Sequence, residues 1–296
     1  MKQILFTPLA PMLWGTSYIV ATELLPEYGP FTVAFLRSFP VGLLMILIYR
    51  HFPKGVWWWR SLVLGTLNIG FFYAMLFIAT YRLPGGIVAT VGGIQPLLVI
   101  MFSWLFLKQR PLPWAIVAAC FGILGVGLLV LSSAIQLDLI GILAAIVGAI
   151  SMAAGIVLTK LWGRPAPLLV FTGWQLTAGG IVLIPLVLFF ELGNIPLPNS
   201  YNLLGFAWLA ILNTALGYVL WFGGIEKLQA WKVSLFALLS PVVAVLVGYF
   251  ILDQSLSLIQ IAGMVIIFSS ILVAQRLGTA APALVPISHR LFDHKS

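Results

Sequence analysis

Two prolines interrupt long apolar runs of the sequence, and each has a polar residue directly before it. Gln95 and Pro96 lie near the middle of one run, and Ser240 and Pro241 lie near the middle of another. Because proline has no N–H, the carbonyl four residues before it loses its helical partner, as at Gly92. Freed carbonyls in an apolar surrounding are tolerated where they line a cavity or bind neighbouring helices. We expect the two breaks to line a polar cavity that holds a ligand's ammonium group; simple kinks in packed helices are the alternative.

Arg37 is the clear ionisable side chain within an apolar run, a short distance after Pro30. A cation buried in an apolar layer costs free energy, so it is by default a candidate functional residue. Its guanidinium can bind a carboxylate through two parallel hydrogen bonds, which predicts a substrate carboxylate there. The side chain could equally extend outward to Glu23 or Glu27, since long basic side chains reach toward water and opposite charge. The sequence leaves both alternatives open.

Amides and aromatic rings lie in the apolar runs as well. Buried amides such as those of Asn68 and Asn213 must form hydrogen bonds, either between helices or to a ligand. Tyrosine hydroxyls could bind the polar head of a ligand and tryptophan rings could form apolar walls, although both are also common packing residues. The candidate tyrosines are Tyr73, Tyr81 and Tyr218, and the candidate tryptophans are Trp14, Trp174 and Trp221.

The composition places these residues in a membrane protein. The chain has 296 residues, of which 62% are hydrophobic and 7% charged, with a mean hydropathy of +1.13. Soluble proteins carry roughly 25% charged residues, so this composition excludes a soluble enzyme. The net charge of +8 does not indicate nucleic acid, because the basic residues lie between the apolar runs rather than in one cluster. We expect membrane lipid and a small molecule as partners, and no nucleic acid.

Ten apolar runs are long enough to cross a bilayer, which takes about 20 helical residues. With the N-terminus placed in the cytoplasm, 13 of the 15 Lys and Arg residues fall in inner loops or the tail, whereas Arg82 lies in an outer loop and Arg37 within a span. This asymmetry is typical of the positive-inside rule and predicts that both termini are cytoplasmic. The predicted spans are 4–22, 31–49, 61–80, 85–106, 112–131, 139–159, 168–190, 203–224, 232–252 and 258–275.

The first five spans repeat as the second five. A shift of 145 residues places Asn68 on Asn213 and Tyr73 on Tyr218, and a shift of 137 places Pro30 on Pro167. Since five is odd, the second copy enters the membrane from the opposite face, and inverted repeats are typical of carriers that bind substrate between the halves. The predicted fold is all-α and integral to the membrane, with two inverted five-helix repeats at 1–135 and 136–276 and a cytoplasmic tail at 277–296.

Catalytic and metal-binding patterns are absent from the sequence. It contains no HExxH, GxSxG or Walker A motif, and no Asp, Glu or His lies at the middle of a span. We therefore expect no catalytic residues, no metal site and no cofactor, and we predict facilitated transport without a carboxylate proton relay. An integral-membrane enzyme and a channel remain the alternatives outside carrier function, and the oligomeric state stays open.

Ten short-looped helices, Trp14-Gly15, Pro30 and the midspan Gln95-Pro96 resemble the drug/metabolite transporter superfamily, in its EamA-like ten-helix branch. Within that branch the chain is most similar to the YddG-type aromatic amino-acid exporters of bacterial inner membranes. The resemblance implies a secondary transporter that exports amino acids or related metabolites from the cytoplasm. An exporter of drugs or other amphipathic metabolites is the alternative within transport, although we would expect an intramembrane Glu for organic cations.

Overall fold

The computed structural model describes residues 6–83, 85–130 and 138–277, which fold into helical segments joined by short connections. The first segment, α1, comprises Leu9–Gly15, Ser17–Ile19 and the π-helical Val20–Leu24. The others are α2 (Pro30–Tyr49), α3 (Trp57–Gly65, π-helical Thr66–Gly70 and Phe71–Arg82), α4 (Gly85–Gly92 and Gln95–Leu107), α5 (Pro113–Val130), α6 (Leu139–Trp162), α7 (Leu168–Phe190), α8 (Ser200–Ala207, π-helical Trp208–Leu216 and Gly217–Lys227), α9 (Ala230–Phe236 and Leu239–Ile251) and α10 (Leu258–Leu277).

Within the described ranges, nine helices are long and apolar enough to cross a membrane, and they correspond to α2 through α10. Their outer faces carry large apolar side chains, such as Phe189 and Leu258, each 84% exposed. Exposed apolar surface marks contact with lipid or another protein, and its presence on nine span-length helices of the described chain indicates lipid. The predicted all-α membrane fold is thereby confirmed.

The first predicted span, 4–22, has a different outcome. It begins among residues outside the described part of the chain, and its remainder is divided into the short pieces of α1. A side-chain bond from Thr16 Oγ1 to the Leu13 carbonyl at 2.7 Å lies at the first division, and such bonds compete with the helical ladder. The arrangement of ten membrane spans as two inverted halves therefore stays a prediction.

The midspan breaks are confirmed. Helix α4 stops at Gly92 and resumes at Gln95, and α9 stops at Phe236 and resumes at Leu239. In both helices the second piece has proline in its first turn, where a missing N–H costs no helical hydrogen bond. The two breaks lie inside the molecule, where α4 and α9 contribute to the same cavity.

Helix packing follows a regular pattern among the described residues. The most extensive contacts join α2 with α7 and α5 with α10, while α6 packs on α3 and α4, and α1 packs on α8 and α9. Small residues permit the close pairs. At the α5–α10 contact, a Cβ at Gly263 would lie 2.6 Å from the Gly125 carbonyl oxygen, so the two backbones touch there.

Candidate functional site

A cavity of about 610 Å³ lies inside the helix bundle, walled by α1 to α6, α8 and α9. It extends from the breaks in α4 and α9 to the connection between α1 and α2, where Pro26 and Tyr28 line it. Burial raises the pKa of the Tyr28 hydroxyl, with a smaller contribution from Glu27, so this group is neutral at physiological pH. The volume lies within the range of small-molecule binding sites, roughly 300–1,000 Å³.

Most of the residues that sequence reasoning selected come together in this cavity. They reach it from α1, α2, α3, α4, α8 and α9, so residues distant in the chain share one wall. The candidates that line the cavity are Trp14, Arg37, Tyr73, Gly92, Gln95, Pro96, Tyr218, Ser240 and Pro241.

Two predicted candidates, Asn68 and Asn213, are fully buried away from the cavity wall and connect helices. The Asn68 amide donates to Gln175 Oε1 at 2.9 Å and to Thr159 Oγ1 at 3.2 Å. The Asn213 amide donates to Ser17 Oγ at 2.8 Å. These contacts join α3 to α6 and α7, and α8 to α1, as interhelical hydrogen bonds in membranes commonly do.

The remaining candidates also lie elsewhere. Trp174 is buried beside the α2–α3 connection, where its Nε1 donates to the His51 carbonyl at 2.7 Å. Trp221 is fully buried behind the wall and packs on Trp14, with ring centroids 5.1 Å apart. Tyr81 belongs to α3, but its side chain is outside the described part of the structure.

Arg37 is the charged residue of the cavity lining, and its side chain is only 6% exposed. Its Nε donates to Thr214 Oγ1 at 2.8 Å, and its guanidinium lies 5.1 Å from the centre of the Tyr73 ring. Glu23 and Glu27 are exposed, and neither forms an ion pair with Arg37 among the described residues. A guanidinium has five N–H donors, and within the described chain the four on the terminal nitrogens of Arg37 have no hydrogen-bond partner.

Two local features of the chain place Arg37 at this point. Pro30 begins α2 in its first turn and sets the direction of the helix. Thr214 belongs to the π-helical stretch Trp208–Leu216, and π-helical turns redirect side chains and often occur at functional sites. Sequence reasoning missed Thr214 and the π-helical turns, because a polar residue next to Asn213 was the only local signal.

Gln95 lies at the break in α4, lines the cavity and is 9% exposed. Within the described chain its Nε2 has no hydrogen-bond partner. A buried amide that lacks a partner costs about 1–3 kcal/mol, and a ligand acceptor would remove this cost. Gly92, in the same wall, faces open space, since a Cβ there would meet nothing within 4 Å.

The backbone at the second break is less available than the sequence suggested. The carbonyl four residues before Pro241 belongs to Ala237, and it already accepts a hydrogen bond from the Ser240 amide at 3.1 Å. A carbonyl has two lone pairs, so one acceptor position remains at Ala237. The charged group of the described lining is therefore a donor, the Arg37 guanidinium, and it lies among neutral amide and hydroxyl groups such as those of Gln95 and Ser240.

Apolar and aromatic side chains form the rest of the lining. Phe72 and Tyr73 have ring centroids 5.7 Å apart, and Trp14 and Tyr218 have ring centroids 5.3 Å apart. Phe77 and several aliphatic residues continue this surface. Such walls accept an apolar or aromatic side chain while a few polar groups orient the head of a ligand.

The end of the molecule opposite the α1–α2 connection is filled. Phe171 and Phe222 are each 1% exposed and contact each other edge to face. Lys160 Nζ at the end of α6 donates to the Glu226 and Leu228 carbonyls at 2.7 and 2.9 Å. Arg164 adds an ion pair with Glu226 at 2.8 Å. These bonds hold the end of α6 against the α8–α9 connection and block that end of the interior.

Comparison with known families identifies the chain's relatives. The EamA-like transporter family matches residues 1–131 and again residues 139–275. The two matches together cover nearly the whole chain and divide it close to its middle.

Individual proteins agree with this result. The chain is 45% identical to the protein PecM of Dickeya dadantii over 275 residues, which is 91% of each chain. It is 26% identical to the inner membrane transporter YedA of Escherichia coli K12, covering 93% of this chain and 92% of that one. A solved crystal structure shares the fold with a TM-score of 0.79 at 20% identity, covering 93% of this chain and 97% of the other.

Proposed function

Because the chain belongs to the EamA-like transporter family, we propose that it carries small amphipathic metabolites, amino acids among them, across the membrane through the central cavity. The observation that carries this proposal is the cavity itself. Buried hydrogen-bond donors lie at the inner end of the cavity, surrounded by apolar and aromatic walls. The end of the bundle opposite the α1–α2 connection is filled. An amphipathic solute could enter from one side only, which is what a carrier requires and a channel does not.

Helix packing supports an inverted repeat as the basis of alternating access. The proposed halves 1–135 and 136–276 pair α1 with α6, α3 with α8 and α4 with α9. The contact of α6 with α3 then corresponds to that of α1 with α8, and the contact of α6 with α4 corresponds to that of α1 with α9. Both kinds of contact occur, and the α2–α7 and α5–α10 pairs map onto themselves. If the halves exchanged conformations, the cavity would close at one end and open at the other. The family match also appears once in each half.

The positive-inside pattern supports a cytoplasmic position for the filled end. Lys160 and Arg164 lie there, whereas Arg82 and Asp138 form an ion pair at the other end. We therefore propose that the structure is the outward-open state of a bacterial inner-membrane protein with both termini in the cytoplasm. We further propose that transport is outward and that aromatic amino acids are among the substrates. The family resemblance and the aromatic walls of the cavity support these two points.

Among the described residues, the cavity has no acidic side chain or histidine in its lining. A carboxylate or histidine relay is a common device of proton-driven carriers, so we propose facilitated transport along the substrate gradient. The same lining disfavours organic cations, because Arg37 would repel them. The drug-exporter alternative is therefore restricted to neutral or anionic compounds.

Counterflow in proteoliposomes tests the proposal. Vesicles loaded with one unlabelled amino acid are diluted into a trace of the same labelled compound, for each of the twenty amino acids. We expect transient, saturable accumulation of at least one of them, aromatic residues first. The Gly92→Leu variant, which fills the cavity, is the control. Flux without saturation would indicate a channel, and the absence of counterflow for every compound would overturn amino-acid transport.

A further inference from the structure

We infer that the cavity recognises the carboxylate of its substrate and does not require an amine. Arg37 and Gln95 would bind the carboxylate, and the transported class would be monocarboxylates with an apolar or aromatic body. Amino acids would then be one subset of that class. The inference rests on the proposed transport function and specifies its substrate chemistry.

The first support is the pair of free donors. Arg37 lines the cavity and uses Nε for Thr214, and within the described chain its terminal N–H groups have no hydrogen-bond partner. Gln95 lines the cavity, and its Nε2 is buried and without a partner within the described chain, so a rotation of the side-chain amide would present this donor to a ligand. Donors on a guanidinium and an amide match a group that only accepts, and an ionised carboxylate is such a group. Arginine binds carboxylates through two parallel hydrogen bonds, which also fixes their orientation.

The second support is the uncompensated charge. Tyr73 and Thr214 stabilise the buried guanidinium, but neither neutralises it. Breaking or lacking the partner of a buried charge is strongly destabilising, so an anion that enters the cavity gains the interaction that the protein itself does not supply. A cationic amine gains nothing comparable, because the described lining holds no acid.

The third support is the neutral character of the acceptors that an ammonium group would meet. The Ala237 carbonyl already accepts from the Ser240 amide. Ser17 Oγ accepts from the Asn213 amide, and the Tyr218 hydroxyl donates to the Asn68 carbonyl. The other acceptors in the described lining, such as the Thr80 and Ser240 hydroxyls and the Gln95 amide oxygen, are neutral, so an ammonium group finds no opposite charge there. An amine is thus tolerated rather than recognised.

Three probes with the same aromatic body separate the two head groups. 3-Phenylpropionate has the carboxylate alone, phenylalanine has both groups, and phenethylamine has the amine alone. Binding is measured on the purified full-length protein in detergent by isothermal titration, at neutral pH. We expect both carboxylates to bind within about tenfold of each other and phenethylamine to bind at least about tenfold more weakly than 3-phenylpropionate, since a charge-assisted hydrogen bond is worth that factor or more.

Variants assign the effect to the two donors. Arg37→Lys keeps the charge but loses the two-pronged geometry, and Gln95→Leu removes the unpartnered amide, so each should weaken 3-phenylpropionate about tenfold. Gln95→Glu adds an acid and should shift preference toward phenethylamine. Arg276→Lys, an exposed arginine near the end of α10, is the matched control and should leave all three affinities unchanged. Thermal unfolding of each variant checks that it is folded.

Three results would overturn the inference. They are equal or tighter binding of phenethylamine, failure of both carboxylates to bind, and unchanged 3-phenylpropionate binding in folded Arg37→Lys and Gln95→Leu proteins. If one of these results occurs and an amine or a neutral solute still shows counterflow, the proposed transport function is retained and carboxylate recognition is rejected. Failure of counterflow for every solute would instead remove the transport function.

Discussion

The bonds at the filled end predict how this protein changes state. Lys160 donates to the Glu226 carbonyl in the last turn of α8 and to the Leu228 carbonyl in the α8–α9 connection, at 2.7 and 2.9 Å, from a half-buried position. Charge-assisted hydrogen bonds contribute about 1.5–3 kcal/mol each when buried, and far less in water. Because these two hydrogen bonds are partly solvated, we take their combined contribution to the closed state as about 1–2 kcal/mol. Lys160→Met should therefore raise the population open at this end about 5- to 30-fold.

Cysteine accessibility measures that population. The shift of 145 residues pairs Ala89, which lines the cavity, with Ser234, which is fully buried at the filled end. If the repeat operates, Ser234 lines the cavity when the opposite end opens. In a Cys120→Ser background, Ser234→Cys should react with N-ethylmaleimide about 5 to 30 times faster when Lys160→Met is added, because slow labelling follows the open fraction.

Two further variants calibrate the result. Lys227→Met removes the same charge from the exposed end of α8 and should leave the labelling rate unchanged. Glu226→Gln breaks only the ion pair with Arg164, whose side chains are about one-third exposed, and should accelerate labelling about twofold. Equal rates for Lys160→Met and Lys227→Met, at unchanged thermal stability, would refute the reasoning that these bonds hold the end closed.

Three other outcomes follow from the same structure. Gly92→Leu should abolish counterflow without lowering the thermal midpoint, because its side chain enters open space, whereas Gly125→Leu should unfold the protein, because a Cβ there meets Ile267 at 2.8 Å. Asn68→Ala should destabilise the fold by about 1–3 kcal/mol, measured by unfolding in a denaturing detergent, and leave KM for counterflow unchanged, since its amide joins helices. Pro96→Ala should slow counterflow with little change in stability, since Pro96 lies in the first turn after the break, where its missing N–H costs no helical hydrogen bond.

The membrane fold and the helix boundaries follow from the order of residues along the chain. A run of about 20 apolar residues has one stable arrangement in lipid, because a helix satisfies its own backbone hydrogen bonds. The breaks in α4 and α9 were predictable for a similar reason, since proline removes a specific bond at a known position. These features depend on neighbours in sequence, and the structure agrees with them.

The division of polar residues between the cavity and the packing was not predictable. Asn68 and Gln95 are both buried amides at midspan, yet Asn68 bonds two helices while Gln95 keeps an unpartnered amide in the cavity. The π-helical turns alter which side of α3 and α8 each residue faces, and no local pattern signalled them.

Arg37 shows the same distinction between the chain and its fold. The residue order established that a cation lies at membrane depth, and the cost of burying it made Arg37 a candidate site residue. Whether it reached Glu23 or faced a cavity depended on Thr214 of α8 and the ring of Tyr73 in α3, which only folding brings beside it. Composition and periodicity specify which segments enter the lipid, because the free energy of transferring a segment from water into lipid is a sum over its residues. The contacts between those segments decide where the bundle leaves space for a solute.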